Sequence, residues 1–307
     1  MTAAQSDLPV NVADRRTRAG FGAGLGAYLL WGFLPLLFHF LQAAGSVTVV
    51  ANRTIWSLFF VGAILVVGRR LPEVAAALRD RRTLGSMLIS SVLLAVNWLI
   101  YVWAVETGQV LEGSFGYFIN PLVNVAIGMV FLGERQSRWQ LVAIAVAVIA
   151  IVIQWIGIGR VPFIALSLAL SFGFYGFFRK TAKVGSASGL FVETLLLAPL
   201  AVGYLTFTFV RDGGIGLHGD PYTMSLLVLT GPATAVPLLL FAFAVQRLRL
   251  TTIGMLQYLG PTIQFLLAVF FFSEPLNALR LLSFGLIWVS LVIYSADSYF
   301  RRGKAMG

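Results

Sequence analysis

The chain has 307 residues, 59% of them apolar and only 11% charged, and its mean hydropathy is +0.89. A soluble domain carries about 25% charged residues, so this chain cannot cover itself with a polar surface and reads as an integral membrane protein. The formal charge of +10 points to no nucleic-acid partner, since the basic residues sit in short segments between apolar runs; the lack of cysteine excludes disulfides, thiol catalysis and Cys-ligated metals.

Residues 1–19 are a polar tail with Arg15, Arg16 and Arg18, expected to be disordered and cytoplasmic. The apolar run that follows is long enough to span a bilayer and has many successors, so it reads as an uncleaved first helix and not a signal peptide. Ten membrane-spanning helices are predicted near 20–42, 47–68, 84–104, 111–132, 139–158, 161–178, 188–210, 223–245, 252–272 and 279–299, with a second tail at 300–307. The linkers are short, as between helices adjacent in space. An outer-membrane barrel is excluded because its strands would alternate polar and apolar residues, and these runs do not. With the N-terminus inside, the inner segments hold most of the basic residues, among them Arg69, Arg70, Arg79, Arg81, Arg82, Arg179, Lys180, Lys183, Arg247 and Arg249. The outer segments hold Arg160, Arg211 and Arg280. That asymmetry predicts both termini in the cytoplasm.

A constant shift of 140 positions aligns the two halves. "NWLIYVWAV" at 97 lies over "PLLLFAFAV" at 237. Pro121, Phe131 and Glu134 in "GYFINPLVNVAIGMVFLGE" match Pro261, Phe271 and Glu274 in "LQYLGPTIQFLLAVFFFSE". Five spans per half is an odd number, so the second copy enters the membrane from the opposite side. The expected fold class is an all-α membrane protein, ten transmembrane helices as two inverted five-helix repeats, 20–158 and 159–299, around a central cavity. Such pairs open alternately to either side of a site near the midplane, and interrupted helices at matching places mark the pathway. An interior proline costs an ordinary helix roughly 3 kcal/mol, so Pro121 and Pro261 are expected as helix interruptions.

The stretches "NWLIYVWAV", "LEGSFGYFINPLVNV", "FLGER" and "RLRLTTIGMLQYLGPTIQFLLAV" resemble the RarD-type members of the EamA family, in the drug/metabolite transporter superfamily. The likeness runs over residues 22–299. It implies a ten-helix carrier of the bacterial inner membrane made of two EamA repeats. In that fold spans 1 to 4 and 6 to 9 line a central cavity, while spans 5 and 10 pack at the periphery.

Tyr117, Asn120 and Asn124 fall at i, i+3 and i+7, one face of a helix. Gln257, Pro261 and Gln264 make the corresponding stripe, with Tyr258 beside it. Pro121 removes the usual donor from the carbonyl of Tyr117, which in a wet cavity would bind water or a ligand. The competing role for these amides is to glue helices together, at roughly 0.6 kcal/mol per contact. Arg53 in span two and its repeat partner Glu193 are charges inside the membrane, where facing lipid would cost roughly 2.5 to 3.5 kcal/mol at mid-helix. Inversion puts them roughly 12 Å apart along the membrane normal. They are expected at two ends of one cavity, Arg53 for anionic or polar substrate groups and Glu193 for a cation or proton. Asn97, Trp98 and Tyr101 of span three, Trp31 of span one and Tyr175 of span six complete the candidate lining. Aromatic walls suit a flat or amphipathic organic substrate, and equally suit packing or an interfacial belt. Glu134 and Glu274 are expected where helices emerge into water, as residues that fix helix ends; His39 and His218 receive no role.

These parts predict a secondary transporter exporting small organic metabolites or drugs, with the lipid bilayer and a small-molecule substrate as partners and a proton or exchanged solute as coupling. No nucleotide-binding signature is visible, and no catalytic residue, metal or cofactor is expected. One alternative is an intramembrane enzyme acting on a lipid or isoprenoid carrier, for which clustered carboxylates, a metal site or a nucleophile with its base are lacking. The other is a passive channel, which has no need of the doubled interruption. Substrate, coupling ion and oligomeric state are not written in the sequence.

Overall fold

The computed structural model describes residues 10–132, 136–182, 184–211, 220–245, 247–248 and 256–304, and among these there is no strand. In order the helices are α1 (Val10–Phe40), α2 (Ser46–Val67), α3 (Leu71–Arg79), α4 (Arg81–Glu106), α5 (Val110–Leu132), α6 (Arg138–Ile158), α7 (Phe163–Thr181), α8 (Ser186–Arg211), α9 (Pro221–Val245), α10 (Leu259–Leu266) and α11 (Ala278–Lys304). A π-helical turn, Leu267–Phe271, continues α10. Eight of the helices have stretches long and apolar enough to cross a membrane; 163–179 and 259–271 are shorter apolar ones. Hydrocarbon offers no hydrogen bonds to the main chain, so each apolar run satisfies its own N–H and C=O groups as a helix.

Local chemistry sets the helix starts. Asp80 accepts from the N–H and hydroxyl of Thr83, and Asp220 does the same for Thr223, 140 positions on. Ser137 and Gln140 cap α6 reciprocally. Asp80 and Asp220 are both held below the usual carboxylate range by these bonds.

Several expectations change. α1 begins at Val10, inside the tail expected to be disordered, with its apolar part from Thr17 to Phe40, and α11 runs on to Lys304. The linker after span two contains α3, whose Val74 and Ala77 are buried. Its Glu73 accepts from Arg70 at 2.7 Å and from the Ser188 hydroxyl at 2.6 Å. The two prolines behave differently. Pro121 lies inside an unbroken α5. Pro261 follows a break: the chain leaves the helix at Tyr258 and restarts at Leu259, with Pro261 in the first turn of α10. A first turn accommodates proline because the missing N–H has no intrahelical acceptor there.

α2 packs on α8 and α9, α1 on α9 and α10, α4 on α7 and α8, α5 on α7 and α10, and α6 on α11. Two glycines bring backbones together. A Cβ on Gly231 would stand 2.6 Å from the main chain of Trp56, and one on Gly116 would stand 2.7 Å from the carbonyl of Ala165. Small residues at crossings serve this purpose in membranes, where lipid tails are as apolar as leucine and close packing must hold helices together. α6 and α11 form the peripheral pair, tied by the Ser290 hydroxyl on the carbonyl of Ala143 at 2.6 Å.

At one end of the bundle three carboxylates bind main-chain N–H groups at the starts of other helices. Glu106 accepts from Ser46 at 2.9 Å, Glu112 from Ile164 at 2.9 Å, and Glu274 from Val110 at 2.6 Å and Leu111 at 2.9 Å. Glu274 therefore fixes a helix end, but it is 9% exposed and not out in water as expected. Glu134 and His218 lie outside the described residues.

Candidate functional site

α2 carries Arg53 into the interior, where it is 5% exposed. Its Nε donates to Thr234 Oγ1 of α9 at 2.7 Å, and Thr234 gives its own proton to the carbonyl of Thr230 at 2.8 Å. The guanidinium lies 4.2 Å from the ring centre of Trp98 on α4 and 5.4 Å from that of Phe38 on α1. A desolvated cation over an aromatic face gains about 2 kcal/mol, which helps α2 keep a charge so deep. From Phe38 the aromatic surface continues to Tyr101 at 6.1 Å and from there to Tyr117 of α5 at 5.3 Å. The Tyr117 hydroxyl reaches Asn97 Oδ1 at 3.4 Å, while the Asn97 amide donates to the Leu168 carbonyl (3.1 Å) and Ser171 hydroxyl (3.0 Å) of α7. Arg53, Asn97, Trp98, Tyr101 and Tyr117 thus form one connected group, in which Asn97 also ties α4 to α7.

Glu193 of α8, 0% exposed, centres a second group. Ser90 of α4 donates to its Oε1 at 2.7 Å and the Tyr175 hydroxyl to its Oε2 at 3.4 Å; Arg179 Nε stands 3.5 Å from Oε1. Ser90 and Trp98 sit on the same face of α4, about 12 Å apart at roughly 1.5 Å per residue. The two charged groups are therefore stacked along one helix, and Arg53 and Glu193 each have their own partners. A third pair lies on the α1 side, where Gln264 of α10 donates to the Trp31 carbonyl at 3.1 Å and the Trp31 ring meets Tyr28 at 5.4 Å and Phe241 at 5.8 Å. The Ser114 hydroxyl donates to the Pro261 carbonyl at 2.8 Å, joining α5 to α10.

Other candidates fall elsewhere. Asn120 is buried, and its Oδ1 has no hydrogen-bond partner among the described residues. Asn124 is exposed, and its Oδ1 lies near Gly173 of α7, 3.4 Å from where a Cβ on that glycine would stand. Tyr258 bonds to Ser295 of α11, and Gln257 beside it is half-buried. Sequence reasoning missed Phe38, Thr234, Ser90 and Arg179. Ser90 had a signal, since position 230 is also a hydroxyl residue (Thr230) at the repeat shift. Arg179 was assigned to an inner loop by charge, although its side chain is only 16% exposed and reaches back to Glu193.

Comparison with known proteins completes the picture. Residues 18–156 match the EamA-like transporter family. The protein RarD of Salmonella typhi is 40% identical over 291 residues, covering 94% of this chain and 99% of that protein. An uncharacterized transporter of Vibrio cholerae is 38% identical over 281 residues, covering 91% and 93%. A solved crystal structure superposes with a TM-score of 0.58 over 93% of this chain and 98% of the other; at 18% identity that likeness concerns the fold alone.

Proposed function

Given that the chain belongs to the EamA-like transporter family, beside the RarD proteins in the drug/metabolite transporter superfamily, we propose that this multi-pass membrane transporter is a secondary carrier for small organic solutes. It exports them across the bacterial inner membrane by alternating access. Its ten crossings form two inverted sets, α1, α2, α4, α5 and α6 against α7 to α11, and both termini are cytoplasmic. What supports a two-fold relation between the sets is the packing, and an odd number of crossings in each makes that relation an inversion. Exchanging each helix for its counterpart turns α2–α9 into α8–α4, α1–α9 into α7–α4 and α1–α10 into α7–α5; the pairs α2–α8, α5–α10 and α6–α11 map onto themselves.

The observation that carries the carrier mechanism is the pair Arg53 and Glu193. They stand at equivalent repeat positions, both are buried, and each heads its own hydrogen-bonded group on the two levels of α4. Buried charge of this kind is expensive and is kept in membrane helices for substrate and ion pathways. Glu193 takes the coupling proton, and neutralising it releases Arg179. Arg53 holds the substrate.

The test uses proteoliposomes loaded with a small-metabolite extract, with released solutes identified by mass spectrometry. A carrier gives saturable release that is accelerated by the same solute outside. Release without saturation or acceleration would make the protein a channel, and chemically altered solutes would make it an enzyme.

A further inference from the structure

Arg53 is held by one of its donors only. Nε is fixed by Thr234, and the planar guanidinium rests against Trp98 and Phe38, yet neither terminal nitrogen has a hydrogen-bond partner among the described residues. No carboxylate among those residues pairs with it; the ionisable groups around it are the phenols of Tyr101 and Tyr117. The Tyr101 hydroxyl is itself buried without a partner. An unpaired cation in a low-dielectric interior is costly. The outward edge of a guanidinium is a fork matched to a carboxylate in two parallel hydrogen bonds. The unpartnered Tyr101 hydroxyl, near enough to interact with that charge, supplies a further donor, so the set offers donors and lacks an anion.

Resting on the carrier assignment above, we propose that the substrate is an organic anion: a carboxylate that docks on the free edge of Arg53, accepts from Tyr101, and packs its flat apolar body against Phe38 and Tyr117. Thr234 acts as a positioning residue, since its proton is committed to Thr230 and its oxygen turns toward Arg53 Nε. Trp98 and Phe38 hold the cation in place while the site is free, so the anion meets a guanidinium already oriented, which favours binding.

The experiment measures binding to the purified wild-type protein in detergent at neutral pH, by calorimetry, with matched pairs: benzoate against benzamide, and indole-3-acetate against indole-3-acetamide. Each amide keeps the ring and loses the charge. The carboxylates are expected to bind at millimolar concentration or below, and the amides about tenfold to a hundredfold more weakly, the range of a hydrogen bond to a charged group. Arg53→Gln is expected to abolish that discrimination and Arg53→Lys to keep part of it, because lysine retains the charge without the fork. Amides that match their carboxylates, or failure of both carboxylates to bind the wild type, would overturn the proposal even if neither variant folds. The outcome is separable from the transport assignment. Binding without solute counterflow would sink the carrier and leave the anion site, whereas counterflow confined to neutral solutes would do the reverse.

Discussion

Glu274 shows how burial and main-chain donors compete over one carboxyl. It closes the loop between α10 and α11 and accepts from two N–H groups at the start of α5. Burial raises its pKa to about 7 even so; the two amides and Arg280 pull it down and Glu112 pushes it further up. A carboxyl with a raised folded pKa stabilises the fold below its unfolded value, near 4.5, and that contribution is lost as pH rises through about 7. The thermal midpoint in detergent is therefore expected to fall between pH 5 and pH 8, and Glu274→Gln, which cannot ionise, should flatten that fall. An unchanged slope in the variant would locate the pH dependence elsewhere. Glu193 poses a different question at the same scale, because its partners Ser90, Tyr175 and Arg179 come from two neighbouring helices. Glu193→Gln keeps the shape and removes the titration. Uptake driven by a pH gradient into proteoliposomes is expected to disappear, while solute counterflow persists. Gradient-driven uptake equal to wild type would exclude Glu193 as the coupling group.

At the scale of elements, crossing glycines decide how closely helices approach. Alanine at 231 would gain up to about 1 kcal/mol of helix propensity. Its Cβ would then meet the Trp56 backbone at 2.6 Å, and a backbone cannot turn aside as a side chain can. Overpacking costs about 1 to 3 kcal/mol, so Gly231→Ala is expected to lower stability in detergent unfolding. Gly22→Ala, with nothing within 4 Å, should be neutral or slightly stabilising. Equal behaviour of the two would mean that α2 and α9 are not in contact at Gly231 and Trp56. The contrast also shows what a sequence conveys about such a fold. Apolar runs of membrane length announced the helices, because hydrocarbon leaves the main chain one solution. α3 stayed hidden since it is short, polar on one side and flanked by arginines that read as loop, although Leu71, Val74 and Leu78 keep a helical spacing. Of the site, Arg53 and Glu193 were legible because charge is rare inside a membrane. Thr234 and Phe38 were not, since a threonine or phenylalanine in an apolar helix carries no mark of the residue it will face. Tyr258 was placed beside the polar stripe of α10, and nothing in the stripe told that its hydroxyl would bond to Ser295 of α11.

For the molecule as a whole, inversion means that equivalent positions of the two halves face opposite sides of the membrane. Asp80 and Asp220 make the same cap on Thr83 and Thr223, so α4 and α9 start alike in structure. If five crossings separate them, one start is cytoplasmic and the other is not. The chain contains no cysteine, so one introduced thiol is a unique label. Arg82 and Tyr222 are matched at the shift of 140 and both are exposed. In intact cells a membrane-impermeant maleimide is expected to modify Tyr222→Cys at once and Arg82→Cys only after the membrane is opened. The basic residues around position 82 favour the cytoplasmic side, and the polar start of α9 must then lie outside. Labelling of both variants from one side would remove the inversion and with it the case for alternating access. The reversed pattern would keep the inversion and instead turn the whole protein over, placing both termini outside.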